Sequence, residues 1–169
     1  MTGEGPARAE IEQPAAGRPA FLLALTHGAG GGPRPPDVLA VAAAAAPLGA
    51  WTALVTQPYR VAGRRAPGPA ARQDAAWVEV IAALRELAGA RPGSAAGRPD
   101  RSRAAELAAA GTDVLVINGD RDPFGVPAGT AATRVIMLAG ESHALSRHPQ
   151  EAGRAAADWL REVLARPRG

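Results

Sequence analysis

Short apolar runs that alternate with helical patterns constrain this chain more than any other feature of its sequence. Four runs have the length and composition of buried strands, at residues 21–25, 51–56, 113–118 and 134–138. Helical patterns occur at 37–46, 71–90, 102–110 and 151–165, and a weak alternation adds an edge strand at 8–12. This order predicts an α/β fold whose mostly parallel sheet of about five strands is covered by helices on both faces.

The apolar residues of the two longest predicted helices indicate which sides face the core. At helical spacing these residues are Trp77, Val80, Ile81, Leu84 and Leu87 in the first helix, and Trp159, Leu160, Val163 and Leu164 in the second. We interpret both sets as core packing, not as a cofactor site.

Length and composition predict one domain over residues 1–169. A chain of 169 residues with 47% hydrophobic content can form a core. Cysteine is absent, which excludes disulfides, thiolate zinc sites and a thiol nucleophile. The histidines at 27, 143 and 148 lack the spacing of metal ligands, so no metal or cofactor is expected. Residues 1–17 lack an apolar signal core and no run approaches about 20 apolar residues, which predicts a soluble, cytoplasmic protein without a membrane partner.

The basic residues do not indicate a nucleic-acid partner. All 19 are arginines, but the formal net charge is only +3. The basic clusters are Arg64–Arg65 and the group Arg98, Arg101 and Arg103, and both have few aromatic neighbours that could stack on bases.

An acid and a histidine follow two successive predicted strands. Asp122 comes after the strand at 113–118 and precedes Pro123, which cannot continue a strand ladder and so places the acid in a turn. His143 lies five residues beyond the last strand, in a loop with glycine. This order is that of the last two members of a Ser, Asp, His catalytic triad. Asp120 and His148 are the alternatives, and both acids could instead form only Asx turns.

The glycine-rich loop His27-Gly28-Ala29-Gly30-Gly31 follows the first buried strand. Glycines let the main chain approach a developing oxyanion, which a side chain would obstruct. We favour an oxyanion region, and a plain turn or a phosphate cradle remain as alternatives.

Four segments of the chain resemble the small bacterial α/β-hydrolases of the dienelactone-hydrolase-like group. They are the His27 loop, residues 57–65, residues 118–125 and the His143 loop. The resemblance covers most of the chain and implies a three-layer α/β/α-hydrolase-like fold. It implies Asp122 as triad acid, His143 as general base, the loop of His27, Gly28, Ala29, Gly30 and Gly31 as oxyanion region, and a small ester or acyl compound as substrate. The segment at 59–65 resembles a loop at the mouth of the pocket.

The middle of the chain departs from that family. Its members carry a central strand and a Gly-x-Ser-x-Gly elbow where this chain has an irregular loop at 91–101. Ser94 is the remaining candidate nucleophile, but Pro92 and Ala96 stand where the elbow has glycines. Ser102 fits a helix cap better. We therefore expect either a hydrolase that uses Ser94 or a non-catalytic relic of the fold that acts as a binding or interaction protein. Loss of a central strand also predicts marginal stability or self-association.

Overall fold

The computed structural model describes residues 1–14, 19–28, 31–87, 113–126 and 133–166. Within these ranges the strands are β1 (Arg8–Glu12), β2 (Phe21–Thr26), β3 (Ala50–Thr56), β4 (Val114–Gly119) and β5 (Thr133–Leu138). The helices are α1 (Pro36–Ala45), α2 (Pro58–Val61), α3 (Ala70–Leu87) and α4 (Pro149–Leu164), with a 3₁₀ turn at Ala46–Leu48. All five expected strands are present. The expected helix at 102–110 and the irregular loop at 91–101 lie outside the described residues.

The five strands are mostly parallel, as predicted, and form two hydrogen-bonded groups. In the first group β3 lies in the centre, antiparallel to β1 and parallel to β2. In the second group β4 and β5 are parallel. Over the described ranges no ladder joins the two groups, so β1, β2, β4 and β5 each have one edge without a ladder, among them the edges of β2 and β4.

Helix α3 covers one face of the three-stranded group. Alternate residues of a strand point to the same face, and Trp51, Ala53 and Val55 of β3 form a buried cluster with Val80 and Leu84 of α3. These two helix residues confirm the predicted core face, and Trp77 packs against the cluster while partly buried. The prediction was wrong for Leu87, which is 67% exposed.

Helices α1 and α4 pack against each other and form the second helical layer. Ala152 of α4 also joins a cluster with Leu138 and Leu145 that covers β4 and β5. The buried residues of α4 are Ala152, Gly153, Ala156 and Ala157. The predicted inward face, Trp159, Leu160, Val163 and Leu164, is only partly buried. At helical spacing these four residues lie on the same side of α4 as the buried ones, so the predicted side agrees with the structure. The prediction missed the small residues of the contact, which a search for large apolar side chains overlooks. Of the described helices, none is long and apolar enough to cross a membrane.

Candidate active site at the ends of β4 and β5

The carboxyl ends of β4 and β5 bring Asp122 and His143 together. The Nδ1 atom of His143 lies 2.9 Å from Oδ2 of Asp122. The Asp122 side chain is only 3% exposed, whereas the His143 side chain is 66% exposed. The parallel pairing of β4 and β5 explains the contact, because the loops that follow adjacent parallel strands leave the same edge of the sheet.

Both oxygens of the Asp122 carboxylate accept hydrogen bonds. Oδ2 faces the His143 ring, and Oδ1 accepts from the main-chain N–H of Phe124 at 2.9 Å. The bond from His143, followed by the one from Phe124, lowers the pKa of Asp122 below its ordinary value. Asp122 is therefore a carboxylate at neutral pH.

The ionised Asp122 determines which ring nitrogen of a neutral His143 carries the proton. A carboxylate can only accept, so Nδ1 of His143 carries the proton and donates it to Oδ2. The Nε2 atom then has a free lone pair on an exposed ring. A histidine with this tautomer and orientation can act as a general base.

Asp120 and His148, the alternative candidates for the acid and the histidine, have other hydrogen-bond partners. Oδ1 of Asp120 accepts from the main-chain N–H of Gly140 at 2.8 Å. The ring Nδ1 of His148 lies 3.1 Å from Oε1 of Glu141. Asp120 therefore links the turn after β4 to the loop after β5 by a hydrogen bond. His148 forms a second histidine–carboxylate pair with Glu141.

Phe124 covers one side of the His143 ring. The two rings meet edge to face with centroids 4.9 Å apart. Phe124 is nevertheless 80% exposed, which is unusual for so large an apolar side chain. Sequence reasoning did not single out Phe124, although its position two residues after Asp122, in the same turn, was a usable signal.

His27 is buried at the end of β2 and holds two strand ends together. Its Nδ1 lies 3.0 Å from the Gly28 carbonyl oxygen, and its Nε2 accepts from the main-chain N–H of Gln57 at 3.3 Å. The Gln57 side chain donates back to the His27 carbonyl oxygen at 3.2 Å. Tyr59, fully buried, contacts the His27 ring edge to face. The imidazole thus links the β2 loop to the residues that follow β3.

The other end of the glycine loop is bound by Arg60. Its Nε and Nη2 atoms donate to the Gly31 carbonyl oxygen at 3.2 and 2.6 Å. The N–H of Gly31 donates to the Gly28 carbonyl oxygen at 3.1 Å. Ala29 and Gly30, two of the predicted oxyanion residues, lie outside the described residues. Tyr59 and Arg60 therefore support the glycine loop, a role that the sequence did not indicate.

A cavity of about 340 Å³ lies beside the glycine loop. Its lining includes Thr26, His27, Gly28, Gln57 and Trp77, but neither Asp122 nor His143. The cavity and the histidine–carboxylate pair are therefore separate features. Ser94, the candidate nucleophile, lies outside the described residues. In the part of the chain that the structure describes, no three His, Asp or Glu side chains converge on a position that could hold a metal ion.

Solved hydrolases share this architecture. Ferulic-acid-bound Est1E from Butyrivibrio proteoclasticus matches with a TM-score of 0.62 and 13% identity, over 95% of this chain and 96% of that chain. An α/β serine hydrolase homologue from Coxiella burnetii matches with a TM-score of 0.65 and 14% identity, over 97% of this chain and 92% of that chain. The fold is that of the α/β hydrolases. No protein-family model and no curated protein sequence matches the chain.

The α/β-hydrolase fold has a characteristic order of strands and loops along the chain. In such a fold the triad acid and the histidine follow the nucleophile in sequence, each in a loop beyond a strand. Asp122 follows β4 and His143 follows β5, and the glycine loop follows the earlier strand β2. At 12–14% identity the similarity concerns the fold and assigns no activity.

Proposed function

We propose that this protein hydrolyses an ester or a similar acyl bond and belongs to the dienelactone-hydrolase-like group. The observation that supports the proposal best is the 2.9 Å contact between an exposed His143 and a buried, ionised Asp122. A buried carboxylate that orients an imidazole is the arrangement of the acid and the base in a Ser-His-Asp triad. The apolar, exposed ring of Phe124 beside that imidazole favours a substrate with an apolar part.

The proposed reaction uses Ser94 as the nucleophile. Nε2 of His143 takes the proton of the serine hydroxyl while the serine oxygen attacks the carbonyl carbon of the substrate. Main-chain N–H groups of the His27 loop stabilise the resulting oxyanion. The imidazolium then gives its proton to the departing alcohol, and water, activated by the same nitrogen, releases the acid and restores the serine.

A non-catalytic role is the second candidate, and the sequence around Ser94 favours it. The elbow that activates a hydrolase serine has glycines two positions before and after the serine, and this chain has Pro92 and Ala96 there. In this case the protein binds an acyl compound or a partner without turning it over.

Labelling with a fluorophosphonate probe separates the two candidates. The hydrolase proposal predicts a covalent adduct on Ser94 that is lost in Ser94→Ala and in His143→Ala. Ser102→Ala and Ser142→Ala are matched controls, which remove another hydroxyl and should keep the label. Absence of labelling in folded wild-type protein would favour the non-catalytic role. A label on Ser102 or Ser142 would contradict Ser94 as the nucleophile.

A further inference from the structure

Glu141 is a buried acid in the loop that carries His143. Its side chain is 0% exposed. Oε1 accepts from the main-chain N–H of His148 at 2.5 Å and faces the His148 ring nitrogen at 3.1 Å. Oε2 accepts from the main-chain N–H of Arg147 at 3.3 Å. The carboxylate therefore closes the loop onto the residues that begin α4.

The hydrogen bonds of Glu141 keep it charged despite its burial. Burial alone raises the pKa of Glu141, but the bonds from Arg147 and His148 outweigh that effect and leave the pKa below its ordinary value. A buried charge is stable only with such partners. The carboxylate therefore requires residues 147 and 148 to stay in place around it.

The main chain of Glu141 meets the turn that carries Asp122. Its carbonyl oxygen accepts from the N–H of Arg121 at 2.9 Å. The same oxygen would lie 2.2 Å from a Cβ atom added to Gly119, so the end of β4 approaches this residue without space for a side chain. Glu141 thus contacts the Asp122 turn through its backbone and the start of α4 through its side chain.

His143 lies in sequence between Glu141 and residues 147 and 148, which the Glu141 carboxylate binds. We propose that Glu141 is a positioning residue for His143, because its buried carboxylate fixes the loop that holds the His143 ring against Asp122. The catalytic meaning of this inference rests on the function proposed above. The chain offers few other restraints on the ring, since its side chain is 66% exposed and its described contacts are with Asp122 and Phe124.

The test measures the His143 ring by NMR, without any need for activity. Long-range ¹H–¹⁵N correlation at mildly alkaline pH, where imidazole is neutral, reports which nitrogen carries the proton. Wild-type protein should show His143 protonated at Nδ1 alone. In Glu141→Gln one carboxylate oxygen becomes an NH₂ group that cannot accept from a main-chain N–H. The single Nδ1–H pattern of His143 should then be lost and a mixture of both tautomers should appear.

Two controls separate positioning from general stability. Glu151→Gln makes the same chemical change at a less buried acid in the first turn of α4 and should keep the wild-type pattern. Val80→Ala weakens the core on α3, far along the chain from the His143 loop, and should also keep it. If Glu141→Gln is unfolded by circular dichroism, Glu141→Asp retains the charge but shortens the reach to both N–H groups, and the same loss is expected.

Folded Glu141 variants that keep the wild-type His143 pattern would overturn the proposal. So would failure of both variants to fold, because Glu141 would then stabilise the whole fold and not the loop. Loss of the pattern in Glu141→Gln, together with absence of phosphonate labelling in the folded wild-type protein, would support the positioning role and favour the non-catalytic function.

Discussion

At the scale of single residues, the candidate site depends on one buried and one exposed side chain. Asp122 is held by two hydrogen bonds and stays ionised, which orients His143 without exposing the charge to water. Asp120, two residues earlier, has the same chemistry but binds Gly140. Sequence could place both acids in one turn, but the direction of each side chain depends on the backbone of that turn.

We expect Asp122→Asn to abolish the orientation of His143 and to lower the proposed hydrolytic rate by about 10⁴-fold. The amide has nearly the same shape but can donate to Nδ1, which would favour the wrong tautomer. The measurement is the rate of ester hydrolysis or of phosphonate labelling. Asp120→Asn is the matched control, because its amide oxygen can still accept from Gly140, and it should keep most of the rate. Equal losses in both variants would contradict the assignment of Asp122.

Stability should fall in acid because of Asp122 and Glu141. Both have a pKa below the ordinary values of 3.8 and 4.5 in the folded protein. The unfolded chain therefore binds more protons in acid, so the stabilisation is complete above the unfolded-state pKa values and is lost as pH falls through the folded-state values. Urea unfolding at a series of pH values measures this. In Asp122→Asn the free energy of unfolding should depend less steeply on pH in the acid range. A pH dependence parallel to that of the wild-type protein would refute the contribution of Asp122.

At the scale of secondary-structure elements, small residues determine how the helices meet. A Cβ atom on Gly153 of α4 would lie 2.7 Å from the carbonyl oxygen of Ala40 in α1. The buried face of α4 is built from alanine and glycine for the same reason. A hydrophobicity pattern finds this side of α4 through Trp159 and Leu160, but it does not predict the small residues that are buried there, because it contains no information on the distance between two helices.

Gly153→Ala should destabilise the protein by about 1–3 kcal/mol, the usual effect of overpacking. Helix propensity alone predicts the opposite effect, because alanine in place of glycine in a helix raises the free energy of unfolding by about 1 kcal/mol. Chemical denaturation measures the difference. Gly32→Ala is the control, since nothing lies within 4 Å of an added Cβ there, and it should change stability by less than about 0.5 kcal/mol. A stabilised Gly153→Ala protein would show that the helices can separate without cost.

At the scale of the whole molecule, the sheet has two separate groups of strands over the described ranges. The edge of β2 that faces away from β3 and the edge of β4 that faces away from β5 make no ladder there. Strand edges with free N–H and C=O groups tend to pair with another chain unless something covers them. Helices α1 and α4 bridge the two groups through their mutual packing.

We propose that the protein self-associates through these edges. The apparent mass in sedimentation equilibrium should then rise with concentration above that of the monomer, and the thermal midpoint should rise with it. Addition of the non-ionic denaturant urea at low concentration should dissociate the assembly before the fold is lost. A monomer with a sharp, concentration-independent thermal transition would contradict this proposal.

The sequence by itself determined where the strands lie along the chain and which residues follow each strand. Each apolar run is local and long enough to specify a buried strand, so Asp122 and His143 could be placed at strand ends. Only the tertiary structure decided that Asp122, and not Asp120, meets His143, and that Glu141 is buried beneath the loop. The first outcome depends on a contact between residues 21 positions apart, and the second on main-chain N–H groups six and seven positions from Glu141. Hydrophobic periodicity contains no information on which of these groups meet.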